Sequence, residues 1–459
     1  MKIRRRTIAL LLLFGLALGI ATCNISPSSV DSGVGDRPFR VWWQQGFYPE
    51  ETQEIRRLVA EWEGENGIPV ELTFYSDKDM LKETNNAIAA VNPPDMLFST
   101  GKIEPAIPGF AWDDRLVDVS DVIEPVLDRY DPAALESVRY ENAATGKTAY
   151  YAVPLSQQTV HLHYWKPLLE EAGMAEESIP RNWDEFWQFW KTAQERLRQQ
   201  GQEDIYAFAF PLSTAASDTY FIFEHFLEAY NVQVVSPTGQ LQVSDPNVRQ
   251  GIITALTEYT DFYTDGYVPP SAVNWGNAEN NVTFLSRDAV LTANPSLSIP
   301  GSQRQDRATY FDALATIGRP DKPDGTPLSS VVSIKKVVIF KESQNREAAK
   351  SLLAYLIRPD NLAAYLKGAQ GRYFPVMPEL LDDPFWTDPE DPHISVSARD
   401  YRQTRSFPQS FNPAYSQVLS DNVWGRAIRA VVADGISPEA AADRAIAEIR
   451  AIFSDWERQ

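Results

Sequence analysis

FRVWW at residues 39–43, PVELTFY at 69–75 and PPDMLF at 93–98 decide the fold. The first and third are short apolar runs suited to buried strands. The second alternates apolar and polar residues, the period of a strand with one covered face. Between the first two, Ile55, Leu58, Val59 and Trp62 recur at the spacing of one helix face, so 50–64 reads as a helix; 80–91 reads as another. The order βαβαβ predicts a parallel sheet flanked by helices.

The same style continues downstream. Helices are predicted over 167–173, 183–200, 221–230, 248–263, 346–357 and 361–368, with Asn182 and Asp184 as caps at the start of the second. Strands are predicted at 289–293 and 331–340, on either side of a Pro/Gly-rich loop at 319–327. Residues 415–456 read as almost wholly helical, broken near Gly435 and Pro438. No internal repeat is visible.

Upstream, Lys2, Arg4, Arg5 and Arg6 precede an apolar run over 8–21, the pattern of an export signal at 1–22. That run falls short of the roughly 20 residues that cross a bilayer as a helix. Cys23, the single cysteine of the sequence, follows it directly and is expected to be lipidated, although Thr22 departs from the usual Gly, Ala or Ser at that place. The alternative is a conventional signal with a chance cysteine. Residues 23–37 are small and polar and read as a flexible tether. Without the signal the chain carries 62 acidic against 38 basic side chains, a net charge of −24. Such a surface disfavours nucleic acid and anionic lipid.

Ten phrases, spread over nearly the whole exported chain, carry a resemblance. They are Val41-Trp42-Trp43; Gly67-Ile68-Pro69-Val70; PPDMLF; GKTAYYAVP at 146–154; HYWKPLLEEAG at 163–173; PRNWDEF at 180–186; FLSRDAVL at 284–291; the helix around Ala348-Ala349; GRYFPV at 371–376; and Ser437-Pro438-Glu439. In this order they resemble the bacterial extracellular solute-binding family that includes the maltose-binding protein. Trp165, Asn182, Arg287 and Val290 depart from its usual residues.

The resemblance implies an α/β, two-lobed periplasmic-binding-protein fold, each lobe a mainly parallel sheet with flanking helices, joined by hinge strands. It implies one lobe from 38–154 plus about 320–385, and another from 155–318 plus about 400–459. It further implies a monomer, exported and lipid-anchored on the outer side of the cell membrane. That monomer would capture a small neutral solute, a mono- or oligosaccharide, and deliver it to the membrane subunits of an ABC importer, with no catalysis and no cofactor.

Positions matching the family's cleft loops supply the expected contacts. Gln44, Gln45 and Phe47 follow the first strand, with an ordinary turn as the alternative; Ser99 and Lys102 follow the third. Gln158 lies beyond the hinge proline, where an amide can both donate to and accept from a polyol. Trp275 suits a pyranose face, with core packing as its alternative. Asn294 follows a buried strand, and Arg372 and Tyr373 lie in the Gly-x-x-x-Pro turn. Asp95 is read as a structural hydrogen-bonder.

Other chemistry is weakly represented. His161 and His163 share a strand face, but four His in all and no second cysteine make a metal site a poor reading. No paired carboxylates of a glycosidase are recognisable. The same fold binding a glycerol phosphodiester, a polyamine or a peptide is the nearer alternative.

Overall fold

The computed structural model describes residues 37–101 and 103–458. Residues 1–36, which hold the expected export signal and Cys23, lie outside the described residues. Strand β1 (Phe39–Gln44) pairs in parallel with β2 (Val70–Tyr75) on one side and β3 (Met96–Ser99) on the other. The helices Pro49–Asn66 and Asp77–Ala89 connect them. The first buries Ile55, Leu58, Val59 and Trp62 and ends at Gly67, whose positive φ lets its N–H return to the Glu63 carbonyl. Asp95 is structural: its carboxylate accepts the Arg40 backbone N–H at 2.8 Å and the Ser343 hydroxyl at 2.6 Å, fixing the entry to β3.

The chain continues through a hairpin, β4 (Arg139–Asn142) and β5 (Lys147–Tyr150), then β6 (Val153–Gln158), β7 (His161–Trp165), β8 (Tyr206–Ala209), β9 (Ala289–Asn294) and β10 (Leu314–Ile317). Strands β11 (Ser330–Ile339), β12 (Phe374–Pro375) and β13 (Thr404–Ser406) complete the set. One sheet runs β12-β6-β11-β3-β1-β2, with β13 against the start of β11; the other runs β10-β7-β9-β8. Both sheets are mixed. Parallel pairing is confined to β1/β2, β1/β3, β8/β9 and β11/β13. Strands β6, β7, β10 and β11 run antiparallel to most of their neighbours, because the chain uses them to leave and re-enter a sheet rather than to extend a βαβ unit.

Sheet membership places the changes of lobe at Thr159–Val160, within 318–329, and just after β13. Each sheet has its own hydrophobic core. Trp43, Trp62, Phe98, Val337 and Tyr373 belong to the first, and Trp183, Trp187, Phe208, Phe226 and Trp424 to the second. The closing helices Ala414–Ser420, Val423–Val432 and Pro438–Glu457 pack on the second lobe. Ser437 caps the last of them by accepting the Ala440 N–H at 3.2 Å. Asn182 does the same for Trp183–Gln199, accepting the N–H groups of Asp184 and Glu185.

Candidate functional site

Because β1 and β3 are parallel neighbours, their C-terminal ends lie on one edge of the sheet. Gln44 ties them together: its side-chain carbonyl accepts the Ser99 hydroxyl at 3.0 Å and the Thr100 N–H at 2.9 Å. The chain then turns back on the following helix, with the Phe47 N–H donating to the Glu51 carboxylate at 3.1 Å. Glu51 is buried, on the same helix face as Ile55. It faces the Arg372 guanidinium at 3.5 Å. Arg372 lies 5.0 Å over the Phe47 ring and 4.7 Å over Tyr373, near enough for cation–π attraction.

A second buried charge pair continues the same surface. Glu104, just beyond β3, is 6 % exposed. It accepts from the Ser333 hydroxyl at 2.7 Å and from the Lys335 ammonium at 2.5 Å. Strand β11 supplies both donors, and its register sets Ser333 opposite Gln158 of β6. Gln158 is itself buried. Burial pulls the Lys335 ammonium below the usual lysine range, and Glu104 opposes that pull.

The second lobe meets this surface directly. The Phe221 ring lies 5.8 Å from the Lys335 ammonium. One turn earlier, Asp218 is buried, and the loss of water pushes its carboxyl up to about 7 against a hydrogen bond from Asn280 and the charge of Lys335. Asn280 reaches Asn294 at 3.4 Å, and Asn294 donates to Ser298 at 3.0 Å. Among the buried polar atoms without a protein partner are Nε of Arg372 and Oδ1 of Asn280.

Of the residues singled out from sequence, Gln44, Phe47, Ser99, Arg372 and Tyr373 come together on the first lobe. Gln158 lies opposite Ser333, and Asn294 is buried in the second lobe, bonded to Asn280, Ser296 and Ser298. Gln45 is exposed and only its backbone is engaged, donating to Tyr75. Lys102 lies outside the described residues. Trp275 corrects the expectation of a sugar platform: it is 5 % exposed, belongs to the second lobe's core, and donates its indole N–H to Ser271 at 3.0 Å. His161 and His163 are taken up by protein partners, Asp400 with Tyr401 and Thr316 respectively. Among the described residues no group of three His, Cys, Asp or Glu is placed to hold a metal ion.

Glu51, Glu104, Lys335, Asp218 and Asn280 escaped the sequence reading. Two signals were present. Glu51 falls on the apolar face of its helix, and Lys335-Lys336 interrupts an otherwise apolar strand; a charge in either place needs a partner.

Residues 57–394 match the family model for bacterial extracellular solute-binding proteins. No curated relative matches the chain. Among solved structures, an ABC transporter solute-binding protein from Thermotoga lettingae TMO, bound with α-D-tagatose, is 18 % identical; the match covers 91 % of this chain and 99 % of that one at a TM-score of 0.72. Maltose-bound MalE3 of T. maritima is 20 % identical, covering 90 % and 99 % at 0.71. The sugar-binding protein MalE of Xanthomonas citri is also 20 % identical, covering 92 % and 98 % at 0.69. At such identities these likenesses establish the fold.

Proposed function

The chain belongs to the bacterial extracellular solute-binding protein family, and on that premise we propose that it captures a small neutral solute, a mono- or oligosaccharide, between its two lobes. It hands that solute to the membrane subunits of an ABC importer, acts by binding alone, and is held as a monomer at the outer face of the cell membrane through a lipid on Cys23. The two lobes move as rigid bodies about the three crossings, and a solute touching both selects the closed form.

The observation that carries the reading is the composition of the surface between the lobes. Amide, hydroxyl and carboxyl groups lie beside aromatic faces, and Nε of Arg372 and Oδ1 of Asn280 supply one unused donor and one unused acceptor. Sugar hydroxyls need both kinds, and sugar rings present apolar faces to aromatic side chains. The cations Arg372 and Lys335 already face Glu51 and Glu104, which favours an uncharged solute and leaves neither carboxylate free as a general acid. Relatives of the same fold bound with tagatose and maltose support the class.

The test is a thermal-shift screen over mono-, di- and trisaccharides, polyols, polyamines and glycerol phosphodiesters, with solution scattering on each hit. A sugar at 100 times its dissociation constant should raise stability by about 2.7 kcal/mol and shrink the radius of gyration. Stabilisation by polyamines or phosphodiesters alone, falling steeply with salt, would refute the neutral-sugar assignment.

A further inference from the structure

The segment 297–304 is anchored in the second lobe through Ile299 and Ser298, yet Leu297, Gly301 and Arg304 reach across to the first. Leu297 is packed within the first lobe's hydrophobic core. Gly301 lies against Tyr48, so that a Cβ added there would sit 1.8 Å from the Tyr48 hydroxyl oxygen and 2.8 Å from the ring carbon that bears it. Gly301 is not in the left-handed backbone region, so its own conformation does not demand glycine; the approach of Tyr48 does. Arg304 completes the contact. Its guanidinium lies 4.4 Å over the Tyr48 ring, donates to the Gln370 side-chain carbonyl, and approaches Glu50 at 3.9 Å. A bond from Arg304 Nε to the Gly301 carbonyl, 3.1 Å, holds the two parts of the segment together.

We propose that Gly301 and Arg304 form a latch, closing on Tyr48, Glu50 and Gln370 of the opposite lobe, that sets the fraction of closed protein before any solute arrives and the rate at which a captured solute leaves. The inference rests on the clamp reading above for its consequence to the solute, but not for its test. Only one element of the contact is sterically absolute. The Tyr48 ring is buried and cannot swing aside as a lysine tip could, so a methyl group at 301, whose three nearest atoms all belong to Tyr48, excludes the closed arrangement. Arg304 contributes attraction instead, through its cation–π contact and its hydrogen bond across the seam. Both residues position the lobes; neither is asked to touch solute.

The experiment uses the solute-free full chain, purified by exhaustive dialysis. In a Cys23→Ser background, labels are placed at Val91→Cys and Val282→Cys, exposed positions (71 % and 61 %) on the first and second lobes. Single-molecule energy transfer or pulsed spin-label distances then read the closed population. The wild-type latch should show a closed population. Gly301→Ala should reduce it roughly tenfold or more, the scale expected for forcing a methyl group into a packed contact. Arg304→Ala alone should reduce it several-fold. Tyr48→Ala added to Gly301→Ala should relieve the clash and raise the population above that of Gly301→Ala, to a level like that of Arg304→Ala, because the cation–π contact with Tyr48 is lost. Circular dichroism and the melting temperature confirm that each variant is folded, and should Gly301→Ala fail to fold, Arg304→Ala decides. A closed population in Gly301→Ala equal to wild type, no recovery in the double variant, or no closed population in solute-free wild type each overturns the latch. A latch that behaves as described in a protein that no sugar stabilises would refute the sugar assignment and leave the latch standing.

Discussion

Replacing Lys335 by Met examines the charge pair that underlies the site. The Lys335 side chain is fully buried, and its ammonium donates to Glu104 at 2.5 Å and to Ser333 at 2.8 Å. Methionine keeps the length and most of the volume of the side chain, so the packing loss is small and the change is electrostatic. What remains is a buried Glu104 carboxylate with the single Ser333 hydroxyl as donor. Stranding one member of a buried ion pair costs about 3–5 kcal/mol, a large share of the roughly 5–15 kcal/mol that stabilises a typical domain. Glu104→Gln added to Lys335→Met removes the stranded charge and should recover most of that loss. Urea unfolding followed by tryptophan fluorescence, on the wild type, both single variants and the double, gives the coupling directly. A Lys335→Met variant within about 0.5 kcal/mol of wild type, the range of an ordinary surface change, would refute the reasoning. So would a double variant whose loss equals the sum of the two singles.

Three further outcomes follow from the same geometry. Asp218 has its carboxyl pushed up to about 7, above its unfolded value, so the stability it contributes is present at low pH and lost as pH rises through about 7. Asp218→Asn should therefore melt higher than wild type at pH 8 and lose that advantage by pH 5; a gap independent of pH would count against a buried, titrating carboxyl. Trp275→Ala should cost about 3–5 kcal/mol of stability, as for other buried aromatics, and leave solute affinity within about twofold; intact stability with lost affinity would return Trp275 to the site. Cys23→Ser should release the protein from the membrane fraction with its melting curve unchanged, as more than one acyl chain is needed for stable anchoring; a wild-type chain already soluble and unacylated would rule the anchor out.

How much of this was legible in the sequence depends on how local each signal is. The strand at FRVWW and the helix carrying Ile55, Leu58, Val59 and Trp62 were readable because their periods are written within a dozen residues. Asp95 was readable as a loop or turn hydrogen-bonder, and its carboxylate accepts the Arg40 N–H and the Ser343 hydroxyl at the strand entry. Gln44, Ser99, Arg372 and Tyr373 were reached through the family resemblance rather than through their own chemistry. Trp275 was misplaced because an indole suits a sugar face and a core equally well, and only the surrounding packing separates them. The charge pairs are the harder case. Glu104 and Lys335 stand 231 positions apart, and nothing short of the sheet register connects β3 to β11. The parallel pairing was over-extended for a related reason: alternation of helices and strands does not reveal which strands carry the chain from one lobe to the other.

Those crossing strands also decide where the energy of closure resides. The first crossing, at Thr159, receives a hydrogen bond from Arg319 of the second at 3.3 Å, and its N–H donates to Tyr401, in the turn that leads into β13 and the third, at 3.1 Å. Arg319 in turn approaches Asp400 at 3.6 Å, and Asp400 approaches His161 at 3.3 Å. The first two crossings and the turn leading to the third are therefore knotted into one buried polar node, and separating them would strand several groups at once. In the clamp proposed here the node is the pivot. Rotation about a pivot displaces each atom in proportion to its distance from the axis, so bonds at the node survive opening and closing alike and contribute nearly equally to both states. An interaction equal in both states shifts no equilibrium. The balance between open and closed must then be set by contacts that exist in one state only. Contacts away from the node that join the lobes include the Tyr48, Gly301 and Arg304 contact, the approach of Phe221 to Lys335 and the Trp112–Trp456 ring pair at 5.9 Å, to which a solute between the lobes adds its own. A substitution at the node should therefore alter stability far more than affinity, while a substitution at Gly301 or Arg304 should do the reverse.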